Sequence, residues 1–592
     1  MNINERVNKL RELMKENGIT AYIIPTSDPH QSEYVAEHYK GRSWISGFTG
    51  SAGTVVITQE DANLWTDGRY FIQAENQLKD SVYKLFKMGV AGVPSYIEWL
   101  KDIIESGETI GYDGKVFSQT TAEELEKEFD GYSISFNDKY DLLGEIWEDR
   151  PELAKKEAFL HELSYTGISS SEKITKIREN MKSKGADYFL IASLDDIAWL
   201  YNIRGNDIKN NPVIISYALV SMDKAYLFVD RDKINVDVEN FLNDNEIQVL
   251  LYKDIIEYVQ EIENDTTVIL EKNKINRWIY DAIPEECNII DELNYTTVLK
   301  GKKNDTEIEN QRNAYIKDGV ALTKFLYWLD DNVGKIEITE LSAADKLLEF
   351  RQEQDLFIEP SFNTISAYGA NAAMAHYSAT MDSFSVIEKK GFYLVDSGGQ
   401  HLDGTTDITR TVAVGSLTDE EKKDFTLTLK GHINLMNAKF LEGTSGYQLD
   451  ILCRYPMWEE GLDFKHGTGH GIGYLLNVHE GPHRIASIPN FVALEKGMIT
   501  SIEPGVYKAG KHGIRIENIA VVDDYMESES GKFLKFEVLS YVPIDLDAID
   551  VDLLSNTEKE WLNDYHSKVY DKLSPYLSEE ERIWLENKTR SI

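Results

Sequence analysis

The chain has 592 residues, 42% of them hydrophobic, which is enough for several domains with sizeable cores. Its 101 acidic residues outweigh 62 basic ones and give a net charge of −39, which argues against binding nucleic acid or an anionic membrane through a general field. Only two cysteines occur, Cys287 and Cys453, so we expect no disulfide framework, a reducing compartment and two ordinary buried thiols.

The N-terminal stretch MNINERVNKLRELMKENG predicts an amphipathic, charged helix without the apolar core of a signal peptide. No uninterrupted apolar run along the chain reaches the roughly 18 residues of a membrane span. We therefore expect a cytoplasmic protein that has no membrane segment.

Two stretches in the first half of the chain are alike. KLRELMKENGITAYIIPTSD (9–28) and KIRENMKSKGADYFLIASLD (176–195) each predict a charged helix, a glycine at its end and a short apolar strand. LWTDGR (64–69) and YLFVDR (226–231) each predict a further strand that ends near an Asp and an Arg. The simplest interpretation is two related α/β domains, although helix–glycine–strand is common enough to recur by chance.

From about residue 303 the pattern is that of another domain, which holds nearly all the residues suited to catalysis. Apolar residues at helical spacing predict a long helix within 301–331, with Asp305 or Thr306 as its cap. Further predicted elements are β-rich segments at 391–399, 406–415, 498–507 and 513–522, helices at 419–441 and 446–459, and a helical tail at 556–590. The predicted domains are 1–158, 159–302 and 303–592.

The segment HGTGHGIGYLLNVHEGP (466–482) places three histidines within 14 residues. His466 and His470 have the i, i+4 spacing of a zinc-protease helix, but Gly467 stands where that motif needs its glutamate base. Four glycines in seven residues would each cost a helix about 1 kcal/mol relative to alanine. We therefore expect an extended segment, with any further metal ligands elsewhere in the chain.

Four carboxylates interrupt otherwise apolar strands of the third domain: Asp396, Asp407, Glu503 and Glu517. A buried, ionised carboxylate is costly unless it is paired or binds a metal ion. Arg410 and Arg515 can neutralise part of this charge, so ion-paired structural carboxylates stay an alternative. Two divalent ions would balance all four charges, and a carboxylate-rich set with one histidine favours manganese, with cobalt or zinc as alternatives.

The motifs around these residues resemble a known family. VDSGGQHLDGTTDITRT (395–411), HGTGHGIGYLLNVHEGP and IEPGVY followed by GIRIEN are similar to motifs of the pita-bread metallopeptidases. With RSWISGFTGSAGTVVI (42–57), LWTDGRYFIQAE (64–75) and the tail from TEKEWLNDYH, they resemble the long, three-domain form of cytosolic X-Pro aminopeptidase over essentially the whole chain.

This resemblance implies an α/β (α+β) protein with two creatinase-like N-terminal domains and a pita-bread catalytic domain, assembled as a homodimer. It also implies a centre of two divalent metal ions, commonly manganese. The substrate would be a peptide with proline in the second position, cleaved before that proline by a hydroxide held between the two ions.

The resemblance also assigns the metal ligands. Asp396 would bind one ion, Asp407 and Glu517 would bridge both, and His470 and Glu503 would bind the other. Glu503 would in addition carry a proton from the attacking water to the proline nitrogen.

Four further side chains receive roles from the same resemblance, and Arg69 is an additional candidate. His479 would stabilise the oxyanion, His376 would lie near the scissile bond, and His466 would shape the proline site. Arg515 would orient a metal ligand or form an ion pair with it without itself binding the metal, and Arg69 could reach the substrate from the first domain. The plainer alternatives are a surface loop for His376, a core histidine for His466, a structural role for Arg515 and a strand-end ion pair for Arg69.

Other functions remain as alternatives. Prolidase shares the five ligands but cleaves only dipeptides and usually has a single N-terminal domain, so the range 159–302 disfavours it; the long N-terminal extension also disfavours methionine aminopeptidase. A metal-free pita-bread scaffold that binds peptides is disfavoured because all five positions hold competent ligands. His483 and His512 match no role, and we expect them to be loop residues.

Overall fold

The computed structural model describes residues 1–592 and divides into two units. The first unit comprises Met1–His161 and Ile168–Thr296, and the second comprises Glu162–Gly167 and Thr297–Ile592. Every helix falls short of the length or the apolar character that crossing a membrane requires.

The first unit contains the predicted repeat. Its first half consists of α1 (Ile3–Glu16), β1 (Ala21–Pro25), α2 (Gly41–Ser46), β2 (Thr54–Thr58), β3 (Ala62–Thr66), α3 (Phe71–Gln77), β4 (Lys84–Lys87), α4 (Tyr96–Ile103), β5 (Thr109–Tyr112), α5 (Gln119–Glu128), β6 (Ser135–Asn137) and α6 (Leu142–Ile146). The chain continues with β7 (Phe159–Leu160) and then α7 (Leu163–Thr166), which belongs to the second unit. The second half consists of α8 (Ser170–Lys184), β8 (Tyr188–Ile191), α9 (Leu194–Leu200), β9 (Ile203–Arg204), β10 (Ser216–Ser221), β11 (Ala225–Val229), α10 (Val236–Asp244), β12 (Ile247–Leu251), α11 (Ile255–Gln260), β13 (Thr267–Leu270), α12 (Arg277–Tyr280) and β14 (Asn288–Asp291), and α13 (Tyr295–Gly301) leads out of it.

Both halves form a six-stranded sheet with the same topology. The strand order is β4–β3–β2–β1–β5–β6 in the first sheet and β12–β11–β10–β8–β13–β14 in the second. The central strand, β1 or β8, pairs antiparallel with one neighbour and parallel with the other in both sheets. This match confirms that the similarity of the two stretches reflects a structural repeat, whereas the domain boundary at residue 158 stays a prediction.

Capping residues explain where the repeated helices begin and end. α1 begins after Asn2 and α8 begins after Ser169, each in a capping box that satisfies free amides of the first turn. α8 is capped by Gly185 with φ of 65°, as predicted. α1 is capped by Asn17, and Gly18 (φ 64°) follows it, so the predicted glycine stands one residue beyond the cap.

The second unit contains the predicted helices and strands of the third domain. They are α14 (Asp305–Asn332), α15 (Glu340–Gln352), β15 (Phe357–Pro360), β16 (Ile365–Tyr368), β17 (Phe392–Ser397), β18 (Gly399–His401), β19 (Gly404–Thr405), β20 (Ile408–Ala413), α16 (Asp419–Met436), β21 (Lys439–Leu441), α17 (Gly446–Trp458), β22 (Gly469–Gly471), β23 (Glu480–Ile485), β24 (Ile499–Ile502), β25 (Gly505–Lys508), β26 (His512–Arg515), β27 (Asn518–Ser528), β28 (Gly531–Val538), α18 (Asn556–Leu573) and α19 (Glu579–Lys588). Three sheets matter for the site: β16–β17–β20, β21–β28–β27–β24–β22–β23 and the hairpin β25–β26.

One hydrophobic core of this unit packs helices against the strands that carry the predicted ligands. Val320 of α14, Phe425 of α16 and Tyr565 of α18 lie in one buried cluster with residues of β17 and β26. Burial of this apolar surface is the main force that fixes these strands in place. Cys287 and Cys453 are free and buried in other clusters, as expected.

The predicted cap of α14 is wrong by one residue. Asn304 is the cap, because its backbone is extended (φ −75°, ψ 171°) and its side chain accepts a hydrogen bond from the Glu307 amide. Asp305 is already the first helical residue, where its charge suits the positive end of the helix dipole.

The prediction that His483 and His512 are loop residues is also wrong. Both are buried strand residues, in β23 and β26. The ring of His483 bonds to the Ile499 carbonyl at 2.9 Å, and that of His512 bonds to Asp424 Oδ2 at 2.8 Å. These partners lie 16 and 88 positions away along the chain. His483 Nδ1 is buried without a hydrogen-bond partner, and burial lowers the pKa of His483 to about 4, so this imidazole stays neutral.

The buried imidazole of His566 in α18 leads to a prediction about stability and pH. Its Nε2 accepts a hydrogen bond from the Ile544 amide at 3.1 Å, and burial, together with the Arg410 guanidinium, lowers its pKa to about 3. Below the ordinary pKa of about 6.5, His566 binds a proton in the unfolded chain but stays neutral in the folded chain. The free energy of unfolding therefore decreases as the pH falls. We expect His566→Gln to reduce the drop in unfolding free energy between pH 7 and pH 5 by about 2 kcal/mol.

Urea unfolding of the metal-free protein at the two pH values measures this difference. Glutamine is a suitable replacement because its amide oxygen can accept the bond from Ile544 without titrating. Equal drops for the wild-type protein and the variant would contradict the prediction.

Candidate metal centre

Strand pairing brings Asp396 and Asp407 together. Asp396 lies in β17 opposite Thr409 of β20, and Asp407 immediately precedes β20. A single antiparallel pairing therefore places both carboxylates at one end of the β17–β20 ladder. Both residues are buried, with 8% and 4% of their surface exposed.

A second antiparallel pair positions the two glutamates. Ile502 of β24 lies opposite Asn518 of β27, so Glu503, directly after β24, and Glu517, directly before β27, are neighbours at one end of this pair. The Glu517 amide donates to the Thr409 carbonyl at 3.2 Å and links this end to the β17–β20 ladder. Only Asp396 lies within a strand, and the other three carboxylates stand beside strand ends.

His470 completes the cluster from β22. Its Nε2 lies 3.3 Å from Glu503 Oε1 and 3.5 Å from Asp407 Oδ2. Ligand atoms of Asp407, His470 and Glu517 all lie within 4.8 Å of one another, the compactness a metal ion requires. His470 Nδ1 lies 2.9 Å from the Gly471 carbonyl, so the proton belongs on Nδ1 and the Nε2 lone pair faces the carboxylates.

The glycines around His470 allow the backbones to approach closely. A Cβ on Gly469 would stand 2.0 Å from the Ser501 carbonyl oxygen, and one on Gly471 would stand 2.3 Å from that of Glu480. Side chains at these positions would push β22 away from its two neighbouring strands. The predicted extended segment is therefore confirmed, together with the reason for its composition.

The carboxylates of the cluster repel one another in a buried place. Burial, followed by the charges of the neighbouring carboxylates, raises the pKa of Asp407 and of Glu517 well above the usual range. Burial, with the charge of Asp396, raises the pKa of Glu503 to about 8. A cluster held this way without a compensating cation is electrostatically unfavourable.

Arginines do not supply the missing positive charge. Arg515 Nη2 donates to Asp396 Oδ2 at 2.6 Å, which neutralises one carboxylate. Arg410 instead donates to main-chain carbonyls, to Asn518 Oδ1 and to the Tyr565 hydroxyl. Arginine pairing therefore accounts for Asp396 but not for Asp407, Glu503 or Glu517, which disfavours the alternative of ion-paired structural carboxylates.

The donor set fits divalent cations. Asp396 Oδ1 is buried without a hydrogen-bond partner, and the other ligand atoms nearby are carboxylate oxygens and one imidazole nitrogen. Oxygen-rich sets of this kind suit hard divalent ions. With Arg515 paired to Asp396, three carboxylate charges are left, which is more than one divalent ion compensates and leaves room for a second.

Tyr507 connects the residues around the cluster, and the sequence interpretation missed it. Its hydroxyl accepts from Arg515 Nη1 at 2.8 Å and bonds to His466 Nε2 at 2.8 Å. His466 Nδ1 lies 4.0 Å from Glu503 Oε2. The signal available in the sequence was the position of Tyr507 at the end of IEPGVY, four residues after a ligand.

His479 lies beside the cluster as well. Its ring is perpendicular to that of His470, with the centroids 4.3 Å apart. The next residue, Glu480, is buried and pairs with Lys303 and, at 3.2 Å, with Lys300, which anchors the start of β23. His479 is therefore held next to a predicted ligand by a fixed strand.

His376 lies in an irregular segment that follows a short 3₁₀ turn, Gly369–Ala373. A Cβ on Gly513 would stand 1.7 Å from the Ala372 carbonyl oxygen, so this turn packs directly on β26. β26 ends at Arg515, which holds Asp396. The segment that carries His376 is thus adjacent to the strand that positions a predicted ligand.

Arg69 lies in the first unit, just after β3. Its Nε and Nη2 donate to the two carboxylate oxygens of Asp67, each at 2.8 Å. This geometry is that of a strand-end ion pair, the plainer of the two interpretations, and a contact of Arg69 with substrate stays a prediction.

Comparison with known proteins covers the whole chain. Models of the creatinase/prolidase N-terminal domain match residues 6–141 and 149–307, that of metallopeptidase family M24 matches 309–524, and that of the M24 C-terminal region matches 532–592. Aminopeptidase P2 of Arabidopsis thaliana is 39% identical over 630 residues, covering 100% of this chain and 89% of that protein. A probable Xaa-Pro aminopeptidase P of Laccaria bicolor is 42% identical over 610 residues, covering 99% and 93%.

A solved structure agrees with the same assignment. X-prolyl aminopeptidase from Caenorhabditis elegans, described as a cytosolic enzyme with a di-nuclear active site, matches with a TM-score of 0.96 at 35% identity over 100% of both chains. The predicted fold, two creatinase-like domains and a pita-bread domain, is thereby confirmed. The chain belongs to the Xaa-Pro aminopeptidases of metallopeptidase family M24.

Proposed function

We propose that this protein is a metal-dependent aminopeptidase that releases the N-terminal residue from peptides with proline in the second position. The observation that carries the proposal is the convergence of five competent ligands in a chain matched from end to end by Xaa-Pro aminopeptidases: Asp396, Asp407, His470, Glu503 and Glu517. Complete ligands disfavour the metal-free scaffold, and two creatinase-like domains disfavour prolidase.

Two divalent ions would supply an activated water at neutral pH and polarise the substrate carbonyl, and the predominance of oxygen donors favours manganese. Asp396 would hold one ion, Asp407 and Glu517 would hold both, and His470 and Glu503 would hold the other. The crowding of these carboxylates supports this assignment, since their raised pKa values reflect a charge that cations would compensate.

The chain's own groups would handle the proton and orient the peptide. Glu503 would accept a proton from the attacking water and deliver it to the proline nitrogen. His479 would donate to the developing oxyanion, His376 would lie near the cleaved bond, and His466 would shape the site for proline. Arg515 would keep Asp396 in position through the bond of 2.6 Å.

Hydrolysis of an Arg-Pro-Pro peptide, with and without added manganese, tests the proposal. We expect release of N-terminal arginine that a chelator abolishes and manganese restores. An X-Pro dipeptide should be a much poorer substrate, since a preference for dipeptides would instead indicate a prolidase. Metal-loaded protein that releases no arginine would overturn the proposal.

We also propose a homodimer that forms through α17. Four large side chains of this helix are exposed at spacings of three or four residues, so they form one apolar stripe: Tyr447 (40%), Ile451 (40%), Tyr455 (54%) and Trp458 (49%). An exposed apolar stripe of this kind is typical of a protein interface. In a two-fold dimer the same face of each copy would meet, so α17 would pack against its own copy.

We expect the double variant Ile451→Asp/Tyr455→Asp to be monomeric in analytical ultracentrifugation while the wild-type protein sediments as a dimer. Tyr576→Asp, a change at a tyrosine that is 62% exposed in the tail, serves as the control and should remain dimeric. Identical sedimentation of the double variant and the wild-type protein would exclude α17 as the interface.

We further propose a cytoplasmic location without nucleic-acid or membrane partners. The similar enzyme of C. elegans is described as cytosolic, and both cysteines of this chain are unpaired. The net charge of −39 would repel polyanions.

A further inference from the structure

Glu340, the first residue of α15, is a buried carboxylate outside the metal centre. It is 0% exposed, and all its hydrogen-bond partners are neutral donors. Burying an unpaired carboxylate is costly unless several donors and a favourable dipole compensate it. The N-terminus of α15 supplies part of this compensation, since Glu340 lies in its first turn.

The donors to Glu340 all come from one loop. The Tyr368 amide donates to Oε1 at 2.6 Å and Asn371 Nδ2 donates to Oε1 at 3.0 Å. The Tyr377 hydroxyl donates to Oε2 at 2.8 Å, and the Ser385 amide donates to Oε2 at 2.7 Å. One carboxylate therefore binds the start, the middle and the end of residues 368–385.

His376 lies in the middle of this loop, directly before Tyr377. The loop has little regular structure of its own, apart from the turn Gly369–Ala373 and a two-way backbone bridge between Thr380 and Ser383. Its conformation therefore depends on tertiary bonds, and the largest group of these converges on Glu340. Fixing the Tyr377 side chain restricts the backbone from which the imidazole of His376 extends.

We infer that Glu340 is a positioning residue that holds His376 in place for the peptide substrate. Glu340 acts only through the loop, since it contacts Tyr368, Asn371, Tyr377 and Ser385 but none of the metal ligands. This inference rests on the proposed function for its effect on catalysis, and on the structure alone for its effect on the loop.

Glu340→Gln is the most informative variant because it keeps the size of the side chain. The Tyr368 amide donates to one carboxylate oxygen and the Ser385 amide to the other, and a backbone N–H cannot accept a hydrogen bond. The –NH₂ group of glutamine would therefore face a backbone donor in either orientation, and at least one hydrogen bond would be lost. We expect kcat/KM on the Arg-Pro-Pro peptide to fall about 10- to 100-fold with unchanged metal content, as positioning losses do. Tyr377→Phe, which removes one bond, should give a smaller fall.

A double-mutant cycle distinguishes positioning from a general structural role. If Glu340 acts through His376, the variant Glu340→Gln/His376→Ala should be no slower than His376→Ala alone. Glu558→Gln is the matched control, since Glu558 is a buried carboxylate of α18 that also binds a backbone amide, and its activity should equal that of the wild-type protein. Multiplied losses in the double variant, or wild-type activity of Glu340→Gln, would overturn the inference.

Hydrogen–deuterium exchange provides a readout that does not depend on activity. Peptides covering 368–385 should exchange faster in Glu340→Gln than in the wild-type protein, while those of α18 should not change. Unchanged exchange in the loop would overturn the inference even if activity fell. Absence of hydrolysis by the wild-type protein would instead refute the proposed function and leave the exchange result to decide the role of Glu340.

Discussion

Replacing Asp407 with asparagine is expected to remove the bound metal and reduce kcat/KM by at least about 10²-fold, since even residues behind metal ligands contribute 10- to 100-fold. Asp407 lies within reach of both His470 and Glu517, so it stands at the middle of the ligand set. The measurements are metal content after dialysis and hydrolysis of the Arg-Pro-Pro peptide.

The stability of the same variant separates loss of metal from loss of fold. Burial and the neighbouring carboxylates raise the pKa of Asp407 well above its usual range, so its charge destabilises the metal-free protein. Asp407→Asn without metal should therefore melt at or above the temperature of the metal-free wild-type protein. A lower melting temperature would show that Asp407 is primarily structural.

A nearby carboxylate provides the control. Asp403 lies four residues earlier, is 5% exposed and pairs with Lys317 at 2.6 Å. Asp403→Asn should keep the metal and the activity even where it lowers the melting temperature. Loss of metal from this variant would mean that the region tolerates no change of charge, and the assignment of Asp407 would lose its support.

Replacing Glu503 with glutamine should lower kcat by about 10²- to 10⁴-fold, the range that general acid–base catalysis contributes. Glutamine keeps the size of the side chain and one oxygen that can face a metal ion, but it cannot carry a proton. KM should change little, because binding of the peptide does not depend on this proton transfer.

Ser501→Ala is the matched control for Glu503. The Ser501 hydroxyl donates to Glu503 Oε1 at 3.2 Å, so its removal disturbs the orientation of the carboxylate without removing the proton carrier. The same hydroxyl accepts from the His470 amide at 3.0 Å, so the variant loses two hydrogen bonds, and we expect a loss of about 10-fold, smaller than that of Glu503→Gln. A Glu503→Gln enzyme that retains its metal and a tenth or more of wild-type kcat would contradict the proton-transfer role.

The local pattern of apolar residues and glycines predicted the helices and strands of this protein well. The periodicity of apolar residues identified α14 and the strands around the ligands, because an element that is buried on one face has apolar residues at regular intervals along the sequence. The glycine-rich segment was correctly predicted to be extended, because glycine in such numbers opposes a helix. The cap of α14 was wrong by one residue, because neighbouring polar side chains are similar in capping strength, whereas His483 and His512 were wrong because their partners are distant in sequence.

The amino-acid sequence was sufficient to predict the repeat of the first unit, the order of the elements and the residue types suited to bind metal. These depend on local propensity and on chemical type, which each residue carries with it. Three contacts became visible in the folded chain alone: Arg515 pairs with Asp396 across 119 positions, Tyr507 joins Arg515 to His466, and Glu340 accepts from four donors of a single loop. A buried polar group forms hydrogen bonds with whichever groups packing places next to it, and the spacing of residues along the chain does not predict which groups those are.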